Sequence, residues 1–424
     1  MNTVQQITTR IRQSYGSQPI PGGEEDYIQR HARRYVRTLD LLPAGGGALL
    51  DVGCFPGHLS LLAAARGWAV TGLSKLDGTF LGPAFGQRMA ALGVRVLHAD
   101  IERDEFPCPD NAFDAVFFNE TAEHLAYNPF HPLDQIWRVL KPGGTRVFSV
   151  PNFARFDHRW ALLKGRTLYP ALTKPLGQSF HADLGQRHIR EYTRRECRHL
   201  LAEQDKYLYR FDIRRTIMDR SSDGLAAAAP GRRARPGTLL RALFSRLAPN
   251  CRSTIFMVAV KPSDYLRLDV SDVTAQGFHP PEVSGTDPAF VRRPLEAAWL
   301  SARGSLTLRH PAVARGVTRL DLLMWLPGPA GLAPRQVRVQ VNDAPAATLT
   351  VAPSPEPRRF AIPIPPAGAA TPRGDTLRVA FETEGWKPAD FGMAGDPRTL
   401  GVMIGLKPLA LMCKPVPIRQ PGEH

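Results

Sequence analysis

Apolar residues between positions 24 and 42 recur at helical spacing and predict an amphipathic helix. Beyond that helix, short runs that are apolar throughout alternate with stretches of helical period. This alternation predicts a parallel sheet with helices on both faces, and the uniformly apolar strands fit burial on both sides. Strands are expected at ALLDVG, AVTGLS, VRVLHAD, FDAVFFNE and TRVFSVP, and helices at 58–66, about 83–92 and 131–140.

The alternation breaks at residues 153–186, which hold Gly, Pro, His and aromatic residues without a clear period. This segment is expected to be either a lid over an acceptor or an ordinary packed loop. A helix is expected at 193–204 with Thr193 as its N-cap, and two closing strands at YRFDIRRTIM and STIFMVAVK. Between these strands, residues 238–247 present an apolar face that either docks on the domain or lies on anionic lipid headgroups.

The pattern changes after Pro262, and residues 263–292 are expected to be a linker. Short alternating strands separated by Pro- and Gly-rich turns follow at 293–414. They predict an antiparallel, jelly-roll-like β-sandwich, with VNDAP as a hairpin turn and residues 415–424 as a tail. Three tryptophans of this region are expected either to stack on sugar rings or to fill the core: Trp299, Trp325 and Trp386.

Composition narrows the class of protein. A chain of 424 residues, of which 43% are hydrophobic, is long enough for two or three domains. No apolar run reaches the roughly 20 residues of a membrane span. The five cysteines form no CxxC pair and no metal spacing, so a reduced, cytoplasmic protein without a metal is expected. The net charge of +15 fits an anionic partner or a merely basic soluble surface.

The stretch LLDVGCFPGHLS joins the first strand to the next helix through a glycine turn. Gly53 and Gly57 let the backbone turn tightly and approach a ligand, and open parallel sheets bind ligands at the carboxyl ends of their strands. Three segments follow in order: HADIERDEFPCPDNAFDAVFFNETAEHL, RVLKPGGTRVFSVPN and RHIREYT. With this combination, residues 25–262 resemble the class I S-adenosylmethionine-dependent methyltransferases, and look most like the branch of bacterial surface-polysaccharide and natural-product clusters.

The resemblance implies a seven-stranded, Rossmann-like sheet and a site for S-adenosylmethionine. It implies that the glycine loop surrounds the methionine and ribose portions of the cofactor. It also implies that Asp100 accepts a hydrogen bond from the adenine amino group and that Ile101 lies against the adenine. LKPGG at 140–144 is expected to be a structural turn before the fifth strand. The residues expected to bind the cofactor are Asp51, Gly53, Cys54, Phe55, Gly57, Ser74, Asp100, Ile101 and Asn119.

Two positions depart from the family pattern. Phe55 replaces a glycine, although Pro56 and Gly57 keep a tight turn. Ser74 stands where a carboxylate usually holds the ribose hydroxyls, and serine offers a weaker arrangement of hydrogen bonds to a diol. Asp77, three residues later, is a candidate substitute. Cofactor binding is expected to persist, with a protein that kept the fold without catalysis as the alternative.

Methyl transfer to a hydroxyl needs groups that orient the acceptor and remove its proton. Histidine suits the base role because its pKa lies near neutrality. His124 follows the fourth strand and is expected to be the base, unless it or Glu123 caps the following segment. Glu120 is expected to join it in catalysis. His188 is expected either to bind the acceptor or to brace the fold through ion pairs within RHIREYT.

The sequence therefore predicts an enzyme that uses S-adenosylmethionine to methylate a hydroxyl on a bacterial surface glycan, its lipid-linked precursor or a nucleotide sugar. Two alternatives stay open: a small-molecule or lipid-quinone O-methyltransferase, and a non-catalytic glycan-binding or assembly protein. Nucleic acid is not expected as a partner, because NETA at 119–122 is not a target-base motif of the PPY type. The protein is expected in the cytoplasm, with the inner face of the membrane as a place of peripheral contact.

Overall fold

The protein divides into two compact units, Met1–Ala202 with Phe211–Lys261 and Glu203–Arg210 with Pro262–His424. The structure is a computed structural model. It describes residues 3–15, 25–76, 83–126, 129–168, 188–204, 208–220, 244, 246–268, 272–284, 295–314, 316–365, 374–393, 395–407 and 409–414.

A seven-stranded sheet forms the centre of the first unit. A short antiparallel pair, β6 with β7, belongs to the second unit and lies between β5 and β8 in the chain. The strands up to Val260 are β1 (Gly47–Val52), β2 (Trp68–Ser74), β3 (Arg95–His98), β4 (Phe113–Asn119), β5 (Leu140–Pro151), β6 (Glu203–Gln204), β7 (Tyr209–Arg210), β8 (Asp212–Asp219) and β9 (Thr254–Val260).

The strand order of the seven-stranded sheet is β3-β2-β1-β4-β5-β9-β8. Neighbouring strands from β3 to β5 are parallel, whereas β9 runs antiparallel to both β5 and β8. The chain order reverses between β1 and β4, and open α/β sheets bind ligands at the carboxyl ends of strands at such a point. The expected Rossmann-like, class I strand order is confirmed.

Five α-helices in the described part of this unit lie where apolar periods predicted them, whereas the helices Thr3–Tyr15 and Phe156–Leu163 were not predicted. Ile28, Ala32 and Tyr35 of α2 are buried in one core with the central strands. Thr193 is the N-cap of the last helix, as the sequence predicted, and Glu196 completes a capping box: the Glu196 amide donates to Thr193 Oγ1 at 3.3 Å, and Glu196 Oε2 accepts from the Thr193 amide at 2.8 Å. The helices are α1 (Thr3–Tyr15), α2 (Glu25–Leu39), α3 (His58–Ala64), α4 (Pro83–Ala91), α5 (Phe130–Val139), α6 (Phe156–Leu163) and α7 (Arg194–Ala202).

The LKPGG segment differs from its expectation, because it lies inside β5 rather than before it. Its pairing with β4 is irregular: Phe113 faces Leu140, and the regular register resumes with Ala115 facing Thr145. The buried ammonium of Lys261 donates to Asn111 Oδ1, Trp137 O and Leu140 O at 2.7 to 2.8 Å. These hydrogen bonds hold the irregular LKPGG segment in place. The segment therefore has a structural role in the described part of the chain.

In its described part, the second unit is built from antiparallel strands with one short α-helix, α8 (Pro311–Ala314), and a 3-10 turn at Pro388–Phe391. The long strand β13 pairs with β12 and β19 in its first half and with β11 and β18 in its second half. The strands are β10 (Tyr265–Leu268), β11 (Val273–Phe278), β12 (Glu282–Ser284), β13 (Leu295–Arg309), β14 (Val317–Trp325), β15 (Arg335–Val341), β16 (Ala344–Val351), β17 (Arg358–Pro363), β18 (Thr376–Thr383), β19 (Met403–Lys407) and β20 (Leu409–Cys413).

Residues 263–292, expected to be a linker, contain the three strands β10, β11 and β12. Each pairs with a strand of the all-β unit, β10 with β20 and the other two with β13. The strands are only three to six residues long, and β11 is largely solvent-exposed. A short exposed strand carries little apolar alternation, which explains why its sequence looked like a linker.

The tryptophans of the second unit belong to its core. Trp299, Trp325 and Trp386 are 6%, 2% and 5% exposed, and Trp386 Nε1 donates to Gly401 O at 3.1 Å. Buried rings cannot stack on a sugar, so the core alternative is the correct one. The five cysteines of the chain are also buried and carry free thiols. Among the described residues, the helices are too short or too polar to cross a bilayer.

Candidate functional site

The loop between β1 and α3 turns at two glycines with positive φ. Gly53 has a φ of 76° and lies so close to Thr121 that a Cβ at this position would collide with its side chain. Gly57 has a φ of 92°, and its amide donates to Cys54 O at 2.7 Å. Only glycine adopts this backbone without strain. Gly53 and Gly57 therefore allow the tight turn that the resemblance implied for this loop.

Asp51 and Cys54 support this loop from beneath. Asp51 is buried, and its Oδ2 accepts a hydrogen bond of 2.6 Å from Ser60 Oγ. Burial raises the pKa of Asp51 to about 6, an effect that the Ser60 hydrogen bond partly offsets. The Cys54 sulfur packs over Gly72 of β2. Both side chains are buried and support the loop from the interior of the protein. Phe55 is half-buried, with its ring 5.7 Å from that of Phe85.

The ends of β2 and β3 bring Ser74 and Asp100 into one region of the sheet edge. Ser74 is buried, and its carbonyl accepts from the Ala99 amide at 3.2 Å. The Asp100 carboxylate pairs with Lys75 Nζ at 3.3 Å, and its other oxygen accepts from the Glu102 amide at 3.1 Å. Ile101 next to it is half-buried. Asp77, the candidate substitute for a ribose carboxylate, lies outside the described residues.

Asn119 ends β4 with a side chain that lacks hydrogen bonds. Its Oδ1 and Nδ2 are both buried, and neither has a partner among the described residues. A buried amide without partners is costly, and such groups are uncommon in native structures. Asn119 is the last residue of β4, at the strand-order reversal and beside the loop that follows β1, so a bound polar ligand there would satisfy its amide.

Glu120 lies next, in a left-handed backbone conformation with a φ of 49°. Its Oε2 pairs with Arg34 Nη1 of α2 at 2.8 Å, and its Oε1 accepts from Ser149 Oγ of β5 at 2.9 Å. Both carboxylate oxygens are therefore occupied by protein groups. Glu120 holds three elements together, and the sequence did not reveal Arg34 as its partner.

His124 and His188 come together although 64 positions separate them in the chain. Their ring centroids are 5.0 Å apart in an edge-to-face arrangement. The Ile189 amide donates to Glu123 O at 2.7 Å, which joins the two segments through the backbone. His188 Nδ1 also lies 2.8 Å from Glu191 Oε1. The expectation that RHIREYT braces the fold and the expectation that His188 faces the acceptor region are thus compatible.

Glu191 is the centre of a charged cluster beneath His188. Its Oε2 pairs with Arg155 Nη1 at 2.7 Å, and His158 Nδ1 lies 3.7 Å away. Burial alone would raise the pKa of Glu191, but the His188 hydrogen bond and the Arg155 charge lower it. Arg155 and His158 belong to the irregular segment 153–186, of which residues 169–186 lie outside the described part.

Glu123 is the residue of this region whose importance the sequence understated. Its carboxylate is buried, and both oxygens lack a hydrogen-bond partner among the described residues. Burial first, and the neighbouring Glu120 carboxylate second, raise the pKa of Glu123 well above its ordinary value. His124 Nε2 lies 3.9 Å from Glu123 Oε1. The spacing E-x-x-E-H was visible in NETAEH, but the burial of Glu123 was not.

Comparison with known proteins agrees with this geometry. Residues 50–148, from β1 to β5, match the family model described as a methyltransferase domain. Residues 50–148 are thus a methyltransferase domain with the class I strand order. The match includes the glycine loop, Asp100 and the segment from Asn119 to His124. It ends before His188 and the whole second unit.

Three curated relatives illustrate the similarity. The demethylmenaquinone methyltransferase of Symbiobacterium thermophilum is 27% identical over 40% of this chain and 68% of its own length. A probable S-adenosylmethionine-dependent methyltransferase of Mycolicibacterium smegmatis is 31% identical over 34% of this chain and 52% of its own. The ubiquinone biosynthesis O-methyltransferase of Pseudomonas entomophila is 33% identical over 25% of this chain and 45% of its own. The chain thus spans about half the length of the latter two relatives.

Similarity to solved structures is weak. The geranyl diphosphate C-methyltransferase of Streptomyces coelicolor A3(2), in complex with Mg²⁺, geranyl diphosphate and S-adenosyl-L-homocysteine, aligns with a TM-score of 0.36 and 18% identity. The alignment covers 59% of this chain and 85% of that one. A TM-score this low supports no inference about a ligand.

Proposed function

We propose that the protein is an S-adenosylmethionine-dependent O-methyltransferase acting on a sugar hydroxyl in bacterial surface polysaccharide or its precursor. The observation that carries the proposal is the unpartnered, buried amide of Asn119 beside the glycine loop at the strand-order reversal. The methyltransferase match over 50–148 supports the reaction class. The hydroxyl acceptor is supported by the polar side chains around His124 and His188.

The residues present fit the cofactor. Gly53 and Gly57 leave a cradle that a Cβ at Gly53 would disturb. Asn119 offers a donor and an acceptor that the protein leaves unused, which suits an amino acid moiety. Asp100 has a carboxylate partly exposed at the end of β3, where an adenine amino group would find an acceptor. In this proposal Lys75 turns from Asp100 when the ligand binds, while Ser74 provides the weaker ribose contact.

S-Adenosylmethionine supplies, when bound, a sulfonium methyl group that an oxygen nucleophile accepts in line while the neutral thioether leaves with the electron pair of the broken S–C bond. The chain's own residues must then place the acceptor hydroxyl at the end of β4 and receive its proton. His124 is half-exposed at this edge and is our candidate to face that hydroxyl, with His188 beside it. Glu120 is tied to Arg34 and Ser149, so we assign it a positioning role rather than contact with the acceptor.

A quinone or another lipid-like small molecule is the second candidate acceptor. The names of two relatives specify demethylmenaquinone and ubiquinone biosynthesis. The helix α6, which follows β5, exposes Trp160, Leu162 and Leu163, the last of them 79% exposed. An apolar helix surface with Lys164 over the Trp160 ring at 4.7 Å suits an acyl or prenyl chain at an anionic membrane. A lipid-linked glycan precursor would use the same surface.

The first experiment is calorimetric titration of S-adenosylmethionine and S-adenosylhomocysteine into the full-length protein. We expect micromolar binding that falls at least about tenfold, equal to about 1.4 kcal/mol, in Asp100→Ala. Asp40→Ala is the matched control, since Asp40 is exposed and pairs with Arg66 on the surface. Absence of binding at millimolar cofactor, in protein shown to be folded, would leave the non-catalytic alternative.

The acceptor is tested by offering the protein two sets of compounds with isotopically labelled cofactor. One set contains lipid-linked sugars and nucleotide sugars, and the other contains demethylated quinones. Label in a sugar hydroxyl that disappears with His124→Gln supports the glycan proposal. Label in a quinone instead selects the second candidate, and label in neither, with the cofactor bound, contradicts both.

A further inference from the structure

The buried carboxylate of Glu123 points to a ligand other than the cofactor. Its two oxygens have no hydrogen-bond partner in the described part of the chain, and its side chain is 1% exposed. An ionised carboxylate in such a place is strongly disfavoured unless a cation compensates it. The neighbouring cation Arg34 is already engaged by Glu120. In the described part of the chain, Glu123 therefore accepts no hydrogen bond from a cation, and its ion-pair contact is with the His124 imidazole, 3.9 Å away.

Two imidazoles face the same point. One ligand atom each from Glu123, His124 and His188 can be chosen so that all three lie within 4.8 Å of one another. The distance from His124 Nε2 to Glu123 Oε1 is 3.9 Å. Ligands about 2.1 Å from a common ion lie between roughly 3 Å and 4.2 Å apart. Small side-chain rotations would thus bring all three groups into one coordination sphere.

His188 already has the outer contact that a metal-binding histidine usually makes. Its Nδ1 lies 2.8 Å from Glu191 Oε1, and Glu191 is itself held by Arg155 at 2.7 Å. A proton on Nδ1 that is donated to a carboxylate leaves Nε2 with a free lone pair. The Glu191–Arg155 pair therefore fixes the tautomer that a metal requires.

We propose that Glu123, His124 and His188 bind a divalent transition-metal ion of the Zn²⁺, Mn²⁺ or Fe²⁺ class. Two imidazoles and one carboxylate are a donor set for these ions rather than for Mg²⁺ or Ca²⁺, which prefer oxygen ligands alone. The expectation of a metal-free protein depended on cysteine spacing, and this donor set contains no cysteine. Its histidines are 64 residues apart, so no local spacing marks it.

Three protein ligands leave positions of the ion open toward solvent. The side chains of His124 and His188 are 26% and 40% exposed, so the open side faces the region assigned to the acceptor. This step rests on the proposed function: the ion would bind the acceptor hydroxyl oxygen and lower its pKa, and the proton would pass to solvent. His124 would then act as a ligand and not as the base, a distinction that the two proposals make testable.

The experiment is metal binding by the full-length protein after chelator treatment, measured by calorimetry with Zn²⁺ and by the visible spectrum with Co²⁺. We expect one ion per chain, and binding weakened at least about tenfold in Glu123→Gln and in His188→Gln. His199→Gln is the matched control, because His199 is exposed on α7 and is not a member of the donor set. It should bind Zn²⁺ like the wild type.

Cofactor titration of the same samples separates the two proposals. Variants that keep S-adenosylhomocysteine affinity are folded, so loss of Zn²⁺ binding in them is specific to the donor set. Wild-type protein that binds the cofactor but no Zn²⁺, or binds Zn²⁺ equally in all variants, overturns the metal site and leaves the methyltransferase proposal intact. Wild-type protein that binds Zn²⁺ but not the cofactor would support the metal site and contradict the methyltransferase proposal. Should both variants misfold, His124→Gln provides the third test of the same prediction.

Discussion

Arg34 and Glu120 form an ion pair of 2.8 Å between Nη1 and Oε2, across 86 positions of the chain. Arg34 lies on α2, before the first strand, and Glu120 directly follows β4. Both side chains are about one-seventh exposed, at 14% and 16%. The helix α2 is therefore tied to the strand end where cofactor and acceptor are proposed to meet.

Breaking this pair should destabilise the first unit. We expect Arg34→Met to lower the free energy of unfolding by about 2 kcal/mol, because Glu120 would keep a largely buried charge without its cation. Glu120→Gln in the same background should recover part of this loss. Urea unfolding of both single variants and the double variant measures the coupling. Arg37→Met is the control: its pair with Asp219 is more exposed, and its loss should cost less than about 1 kcal/mol. Equal losses at both positions would contradict a special role for Arg34.

Asn119 should show opposite effects on stability and on binding. We expect Asn119→Leu to leave the free energy of unfolding unchanged or higher without ligand, since a buried amide without partners is removed. The same variant should bind S-adenosylmethionine at least about tenfold more weakly, a loss of about 1.4 kcal/mol. Thermal unfolding and calorimetry on one preparation test both halves. A variant that is less stable but binds normally would show that the amide serves the fold.

The sequence predicted those parts of the fold and of the site that depend on local chain geometry. Gly53 and Gly57 occupy positive-φ positions, Thr193 begins its helix with a capping box, and Asn342 and Asp343 turn the VNDAP hairpin with φ values of 47° and 69°. Each of these depends on residues only a few positions apart. Strand order followed from alternation and from the family resemblance, because crossover rules leave few arrangements of a parallel sheet.

Long-range relationships were not predictable in the same way. The contact of His124 with His188 depends on how the segment after residue 187 returns to β4, and nothing local encodes that return. The three hydrogen bonds of Lys261 depend on the closure of β9 against β5. The absence of partners around Glu123 and Asn119, within the described residues, emerges only when all neighbouring elements are in place. Burial of a charge is a property of the packed fold.

The free energy of unfolding should depend on pH through the titration of His58. This histidine is fully buried at the start of α3, with Nδ1 3.3 Å from the Tyr35 hydroxyl. Burial lowers the pKa of His58 from 6.5 to about 4. Between these values the unfolded chain binds the proton and the folded protein does not, so stability is lost as pH falls. The full effect of that shift is about 3 kcal/mol.

The test compares wild type with His58→Gln, because nearby groups also titrate. Asp51, whose pKa is raised to about 6, acts with the opposite sign and stabilises the fold as pH falls through that value. Subtracting the unfolding free energy of the variant from that of the wild type at each pH cancels Asp51. The difference should fall by about 3 kcal/mol from about pH 7.5 to about pH 4. A flat difference would mean that His58 is protonated or solvated in the folded state.

Lys261 should prove essential to the bulge at the start of β5 and irrelevant to the cofactor. Its ammonium is buried, donates to three acceptors at 2.7 to 2.8 Å and lies 4.0 Å from the Trp137 ring centroid. Lys261→Met keeps much of the side-chain volume but leaves the buried Trp137 and Leu140 carbonyls without this donor. We expect a loss of about 2 to 4 kcal/mol in unfolding free energy.

Lys141→Met is the matched control within LKPGG itself. Lys141 pairs with Asp114 at 2.7 Å, but both side chains are about 40% exposed, at 42% and 38%, so its removal should cost less than about 1 kcal/mol. Urea unfolding measures both variants, and calorimetry below the transition should give wild-type affinity for S-adenosylhomocysteine in each. If Lys261→Met reduces cofactor affinity by more free energy than it reduces the stability of the fold, the LKPGG segment contributes to the site as well as to the fold. If Lys141→Met costs as much as Lys261→Met, exposure does not decide the strength of these contacts.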